Sequence, residues 1–154
     1  MSQMNGSFKK LADRMPLLLQ SLLKRPLIAI DDIGITPVPQ KGVYVFFEGN
    51  KPIYVGRSNR LKKRLKEHSQ RSSVHSATLA FRIAKQNTST LQKKQTNEQL
   101  MKNRDFVEEF EAAKDRIARA KIRFIEIEDQ IEQAMFEIYA SLALGTELNN
   151  FGTH

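Results

Sequence analysis

Gly42-Val43-Tyr44-Val45-Phe46-Phe47, followed by Glu48-Gly49-Asn50-Lys51 and then Pro52-Ile53-Tyr54-Val55-Gly56, is the stretch that decides the fold. Two runs rich in β-branched and aromatic residues flank four residues of turn chemistry, which marks a β-hairpin. Tyr44 and Tyr54 both lie on it. With an odd number of turn residues, for instance Glu48-Gly49-Asn50, the two phenols fall directly opposite each other on one sheet face. Gly56 closes the second run and lets the backbone turn sharply into a helix.

Downstream, Arg57 to Arg71 reads as that helix, which Ser58 or Asn59 can cap, with Leu61 and Leu65 as its docking stripe. Arg60, Arg64 and His68 are spaced i, i+4, i+8 and share a neighbouring face, with Arg57 near that line. Lys62, Lys63, Lys66 and Arg71 add charge around it, and Glu67 alone offsets them. Such a face is often merely solvated. It becomes favourable opposite a polyanion, because the arginine fork matches phosphate oxygens.

Ser73–Ala84 reads as a further helix and Gln86–Asn97 as a polar loop or a frayed helix start. Glu98–Ala120 reads as one long charged helix burying Leu100, Val107, Phe110 and Ile117. Lys121–Ile127 is a third strand, and Gln130–Leu144 is a largely apolar helix ended by Gly145. Upstream, Phe8, Leu11, Met15, Leu18, Leu19 and Leu22 make residues 7–25 one amphipathic helix or a pair of short ones, Pro16 being the break in the second case. Pro26–Gln40, with Pro26, Pro37 and Pro39, reads as an irregular connector. The expected class is α+β: a small three-stranded, mainly antiparallel sheet flanked by helices, with an N-terminal helical extension. Residues 1–40 form that extension and connector, and 41–154 form one domain with a helical insertion at about 86–120.

The 154 residues hold 25 Lys+Arg against 17 Asp+Glu, a net charge of +8, and neither Cys nor Trp. Without cysteine, disulfide scaffolds, thiolate zinc sites, iron–sulfur clusters and Cys nucleophiles are excluded. The charge favours an acidic partner, nucleic acid before an anionic membrane. The Leu17-Leu18-Leu19 burst is too short to span a bilayer, and its charges lie on the wrong side for a signal peptide, so the expected address is cytoplasmic.

Glu137 is the remaining chemical signal. On the wheel of its helix, Ile131, Met135, Ile138 and Leu142 form one face, and Phe136, Tyr139 and Ala143 another. Glu137 lies between them, beside Ala134 and Ser141. If covered, a carboxylate there needs a partner or a metal ion; the plainer reading is a solvated Glu.

Taken together, these residues resemble the GIY-YIG endonuclease family. Its two tripeptides appear as Gly42-Val43-Tyr44 and Tyr54-Val55-Gly56, with Val in place of Ile in both. The family's helix arginine matches Arg64, and the Tyr-or-His position four residues later matches His68. Its metal-binding glutamate matches Glu137. Its closing asparagine matches Asn149, with Asn150 adjacent, although the Pro that often precedes it is missing. The resemblance spans roughly residues 40–151 and leaves the first 40 outside.

It implies hydrolysis of DNA phosphodiesters with Mg²⁺ (Mn²⁺ as a substitute), leaving 5′-phosphate and 3′-hydroxyl ends. In that scheme Glu137 holds the metal, Tyr44 acts as base, and Tyr54 holds the phosphate or the water. Arg64 neutralises the non-bridging oxygens, His68 bonds the phosphate or relays a proton, and Asn149 braces the site. A free phenol titrates near 10, so Tyr44 needs nearby cations to favour its phenolate. Arg57, Arg60, Lys62 and Lys63 are the expected phosphate-binding residues. No membrane partner is expected, and a homodimer or a separate specificity-providing partner is compatible with the chain. The alternative is a DNA-binding or partner-binding module of the same fold without catalysis.

Overall fold

The computed structural model describes residues 2–68, 78–88 and 95–151. The chain opens with helix α1 (Ser2–Leu23), a two-residue strand β1 (Ile28–Ala29) and a 3-10 turn over Ile30–Ile35. The hairpin β2 (Gly42–Glu48) and β3 (Lys51–Ser58) comes next, then α2 (Leu61–Lys66) and α3 (Thr78–Asn87). The single turn α4 (Asn97–Leu100), α5 (Arg104–Arg119), strand β4 (Lys121–Glu126) and α6 (Gln130–Leu144) complete the order.

The architecture is α+β, an antiparallel sheet in the order β1-β4-β2-β3 flanked by helices. It has one strand more than expected. The presumed connector contributes β1, pairing Ile28 with Ile122 and Ala29 with Lys121. That short strand covers part of the β4 edge, which would otherwise present unpaired backbone groups. Of the two expected forms, helix α1 takes the single one, running unbroken through Pro16. Pro16 lies on the exposed side, where water can take the carbonyl its missing N–H frees. Met15 and Leu22 are buried in one cluster and hold both halves of the helix to the same surface.

The long charged helix is split in two. The Thr96 side chain accepts from the backbone N–H of Gln99, and the Gln99 side chain accepts from that of Thr96, which starts α4. The Asn103 carboxamide then accepts from the N–H groups of Asp105 and Phe106 and starts α5 afresh. This restart turns Phe106 inward with Phe110 and Ile117, and leaves Val107 only half-buried. Of the expected 73–84 helix, residues 73–77 lie outside the described residues, as do 89–94 of the polar tract and 69–71 at the end of the first basic helix.

Alternation along the strands gives the sheet two different faces. Val43, Val45, Phe47 and Val55 pack with Met15, Leu22, Phe136 and Ala140 of α1 and α6. Tyr44, Phe46, Ile122 and Phe124 pack with Leu61, Leu65, Phe81, Phe106 and Phe110 from α2, α3 and α5. On α6 it is Phe136 and Ala140 that face the sheet, whereas Ile131, Ile138 and Leu142 are exposed. Among the described residues, no helix is long and apolar enough to cross a membrane.

Candidate active site

The register of the hairpin places the two tyrosines. Glu48 pairs with Lys51 across a two-residue turn, and Phe47 pairs with Pro52. Continued unchanged, that register would put Tyr44 and Tyr54 on opposite faces. An irregularity between Phe46 and Phe47 adds one residue to β3, so Phe46 pairs with Tyr54 and Tyr44 with Gly56. The phenols therefore share a face but stand diagonally, not directly opposite as expected, with ring centroids 6.3 Å apart.

Gly56 has a different role from the expected sharp turn, since β3 continues past it to Ser58. The Tyr44 ring lies across it. A Cβ at residue 56 would overlap the ring carbon and hydroxyl of Tyr44, so any other residue displaces the phenol. Gly42 serves the neighbouring strand in the same way, because a Cβ there would overlap the backbone carbonyl of Ile125.

His68 also departs from the expected pattern. Helix α2 ends at Lys66, and His68 lies in the next turn, 3% exposed. It continues the buried stripe of Leu61 and Leu65 rather than the cationic face, so Arg60, Arg64 and His68 do not form one solvated line. Its ring stands edge-on to Phe46 with centroids 4.8 Å apart. Its Nε2 shares a 3.2 Å hydrogen bond with the hydroxyl of Tyr44, itself 1% exposed. Burial pushes the imidazole down to about 3, helped by the charge of Arg64. His68 is therefore neutral at ordinary pH. With its proton on Nδ1, Nε2 is the acceptor and the phenol the donor. Burial, with Tyr54 beside it, pushes the Tyr44 phenol up, and the opposite pull of Arg64 is too small to prevent it. The cations nearby therefore do not yield a phenolate in the free protein.

Arg64 is half-buried. Its Nη1 donates to Glu67 Oε2 at 3.1 Å and its Nη2 to Thr78 Oγ1 at 2.9 Å, which fixes the guanidinium from both sides. Tyr44, Tyr54, Arg64 and His68 thus gather on one face of the sheet. Arg57 pairs with Val43 and so points to the other face, where its Nε lies 3.7 Å from Glu137 Oε1. The Glu137 side chain is 22% exposed, and burial raises its carboxyl pKa against the counter-pull of Arg57. Its charge reaches Tyr44 and adds to the rise of that phenol. The other carboxylate of α6, Glu132, pairs with Arg14, whereas the partly desolvated Glu137 carboxylate fits a hard ion that keeps most of its water shell.

Asn149 acts on the backbone. Its Oδ1 accepts from the Val55 N–H at 2.8 Å and its Nδ2 donates to the Val55 carbonyl at 2.8 Å, while Thr146 Oγ1 donates to Oδ1 at 2.7 Å. Beside it the Leu148 N–H donates to the Ile53 carbonyl. Of the other expected phosphate-binding residues, Arg60 and Lys63 are exposed, and Lys62 reaches the Gly34 carbonyl at 3.4 Å.

Sequence reasoning misses three neighbours. Gln133, one turn before Glu137, is 1% exposed and donates to the Ile127 carbonyl and to Asn59 Oδ1, tying α6 to the loop ahead of α2. Thr78 and Arg82 of α3 reach Arg64 and Tyr54, the latter with the guanidinium 5.7 Å from the ring centroid. The Gln in an apolar helix is a readable signal; the α3 pair is not, because only tertiary packing brings that helix to the hairpin.

Residues 40–114 match the GIY-YIG catalytic domain, a stretch that holds Tyr44, Tyr54, Arg64 and His68 and stops short of Glu137 and Asn149. The chain is 46% identical over 48 residues to UvrABC system protein C of Aquifex aeolicus (strain VF5), a match covering 30% of this chain and 8% of that protein. No solved structure matches the chain.

Proposed function

The chain carries a GIY-YIG domain, and on that premise we propose that it is a divalent-metal-dependent endonuclease hydrolysing DNA phosphodiester bonds to 5′-phosphate and 3′-hydroxyl ends. The observation that carries this reading is the phenol of Tyr44, laid over Gly56 and hydrogen-bonded to a neutral imidazole beside Arg64.

The chemistry derives from how these groups are held. Arg64 presents a fixed guanidinium to the non-bridging oxygens of the scissile phosphate, where negative charge accumulates in the transition state. The substrate phosphate takes the place of Glu67 on that fork. Tyr44 need not be ionised beforehand. As the attacking water loses a proton to the phenol oxygen, the phenol proton passes to Nε2 of His68, whose lone pair already faces it. The approaching phosphodiester adds negative charge and raises the imidazole's affinity for that proton. Tyr54 holds the water or the phosphate, and Asn149 braces the β3 backbone at Val55 beside it. Mg²⁺, or Mn²⁺ in its place, held by Glu137 and water, would stabilise charge on the departing 3′ oxygen. Arg57, which neighbours Glu137 in the free protein, then serves the phosphate together with Arg60, Lys62 and Lys63.

DNA is the proposed substrate and the cytoplasm the proposed location. Supercoiled plasmid incubated with the protein should be nicked with Mg²⁺ and left intact with EDTA, and end-mapping should give 5′-phosphates. Retained binding with no nicking in either Mg²⁺ or Mn²⁺ would identify a binding module instead.

A further inference from the structure

Arg82 stands at the tyrosine cluster with a charge that the hydrolytic scheme does not use. It lies one turn after Thr78 on α3, and Thr78 Oγ1 is the group that receives Arg64 Nη2. Residues four apart share a helix face, so Thr78 and Arg82 form one outward stripe. Leu79, Ala80, Phe81, Ile83 and Ala84 between and beside them are buried, and Lys85, Gln86 and Asn87 at the end of the helix are exposed. The Arg82 guanidinium is 5.7 Å from the Tyr54 ring centroid, and its Nη2 donates to the Leu148 carbonyl at 3.3 Å. Arg64 therefore flanks Tyr44, and Arg82 flanks Tyr54, across rings whose centroids are 6.3 Å apart.

The two arginines differ in one respect. Arg64 has the carboxylate of Glu67, Arg57 that of Glu137 and Arg116 that of Glu48. Among the described residues, Arg82 has a carbonyl and a ring, and no carboxylate within ion-pair reach. A half-buried cation without an anion bears a desolvation cost that an incoming phosphate offsets. Bonding a carbonyl and covering a phenol require no charge, and the Leu148 bond engages one of five guanidinium donors.

We propose that Arg82 is a second substrate-contacting guanidinium, holding a backbone phosphate next to the scissile one held by Arg64. Helix α3 thereby extends the cationic face of α2 along the Tyr54 side of the site. The inference rests on the nuclease reading and adds to it a positioning contact that the sequence candidates do not include.

The test is salt-dependent binding of a short labelled duplex to the full chain in EDTA, with cleavage kinetics in Mg²⁺ and thermal melting on the same preparations. Arg82→Gln should lower the slope of log K against log salt by about 0.9, the value for one phosphate contact on duplex DNA. Its KM should rise about five-fold or more, by a larger factor than kcat falls. Arg82→Lys keeps the charge and should restore the slope. A wild-type slope in Arg82→Gln, with only a lowered melting temperature, would overturn the inference while leaving the nuclease intact. A wild-type chain that neither binds nor cuts DNA would overturn the nuclease reading, and the inference with it.

Discussion

Two faces of one hairpin carry different kinds of interior. On one, Val43, Val45, Phe47 and Val55 meet Phe136 and Ala140, apolar against apolar. On the other, Tyr44 and His68 are just as thoroughly buried, yet both carry polar atoms, and the Tyr44 hydroxyl bonds Nε2 of His68. The first face is held by area removed from water and tolerates small shifts in position. The second is packed on Leu61, Leu65, Phe106 and Phe110 as well, but the tyrosine cluster within it depends on one hydrogen bond, on Gly56 leaving room for a ring, and on an extra residue in β3 that sets the parity. Burial alone therefore does not separate core from site here. The difference lies in whether a buried residue's neighbours must match it in volume or in a specific atom.

This contrast can be broken experimentally. The largest expected effect is from Arg64→Gln, which should lower plasmid nicking by about 10³–10⁵, the range for an arginine that stabilises charge on a reacting phosphoryl group, with a near-native circular dichroism spectrum. Nicking within ten-fold of wild type would mean that the polar face is packing only. Tyr44→Phe keeps the ring over Gly56 and deletes only its hydroxyl. It should cost about 10²–10⁴ in kcat, the range for a proton-transfer group, with a melting temperature within a few degrees of wild type. Phe136→Ala on the aliphatic face should do the reverse, destabilising the fold by about 3–5 kcal/mol in urea titration. Cleavage per folded molecule should stay near wild type.

The smallest effect is a pH dependence. The unfolded chain protonates His68 near 6.5, whereas the folded chain resists until about 3. Between these values the unfolded state binds more protons, so the stability His68 confers is present above 6.5 and is lost as pH falls toward 3. Melting curves of His68→Gln, which keeps an acceptor for Tyr44, should be flatter over that window than those of wild type. Equal slopes would show that the imidazole is hydrated and not part of the buried pair.

Much of the fold is legible in the residues. Helix α6 begins at Gln130 and ends at Leu144, as its sequence signals require, because the Asp129 side chain caps it and Gly145 adopts a left-handed φ of 65° after it. The hairpin declares itself by composition. Parity and depth are not legible. Glu48-Gly49-Asn50-Lys51 marks a turn without fixing its length, and nothing in Pro52 or Ile53 announces the added residue that brings Tyr54 back to the face of Tyr44. A helical wheel puts His68 with the arginines, but the helix stops at Lys66 and the next turn carries the ring inward. Pro16 fails as a break because buried side chains on both sides of it outweigh one lost hydrogen bond. Glu137 stands out by its oddity in an apolar helix, whereas Arg82 looks like any surface arginine until α3 is packed against the hairpin.

The Asn149 amide has a consequence beyond the site. By bonding both the N–H and the C=O of Val55, it imitates one residue of a neighbouring strand along the outer border of β3, with the Leu148 amide alongside. The opposite border, β1, is only two residues long. Borders blunted in these ways give an incoming strand little backbone to template on. An incoming strand would find the β3 border already taken by the Asn149 amide and the Leu148 N–H.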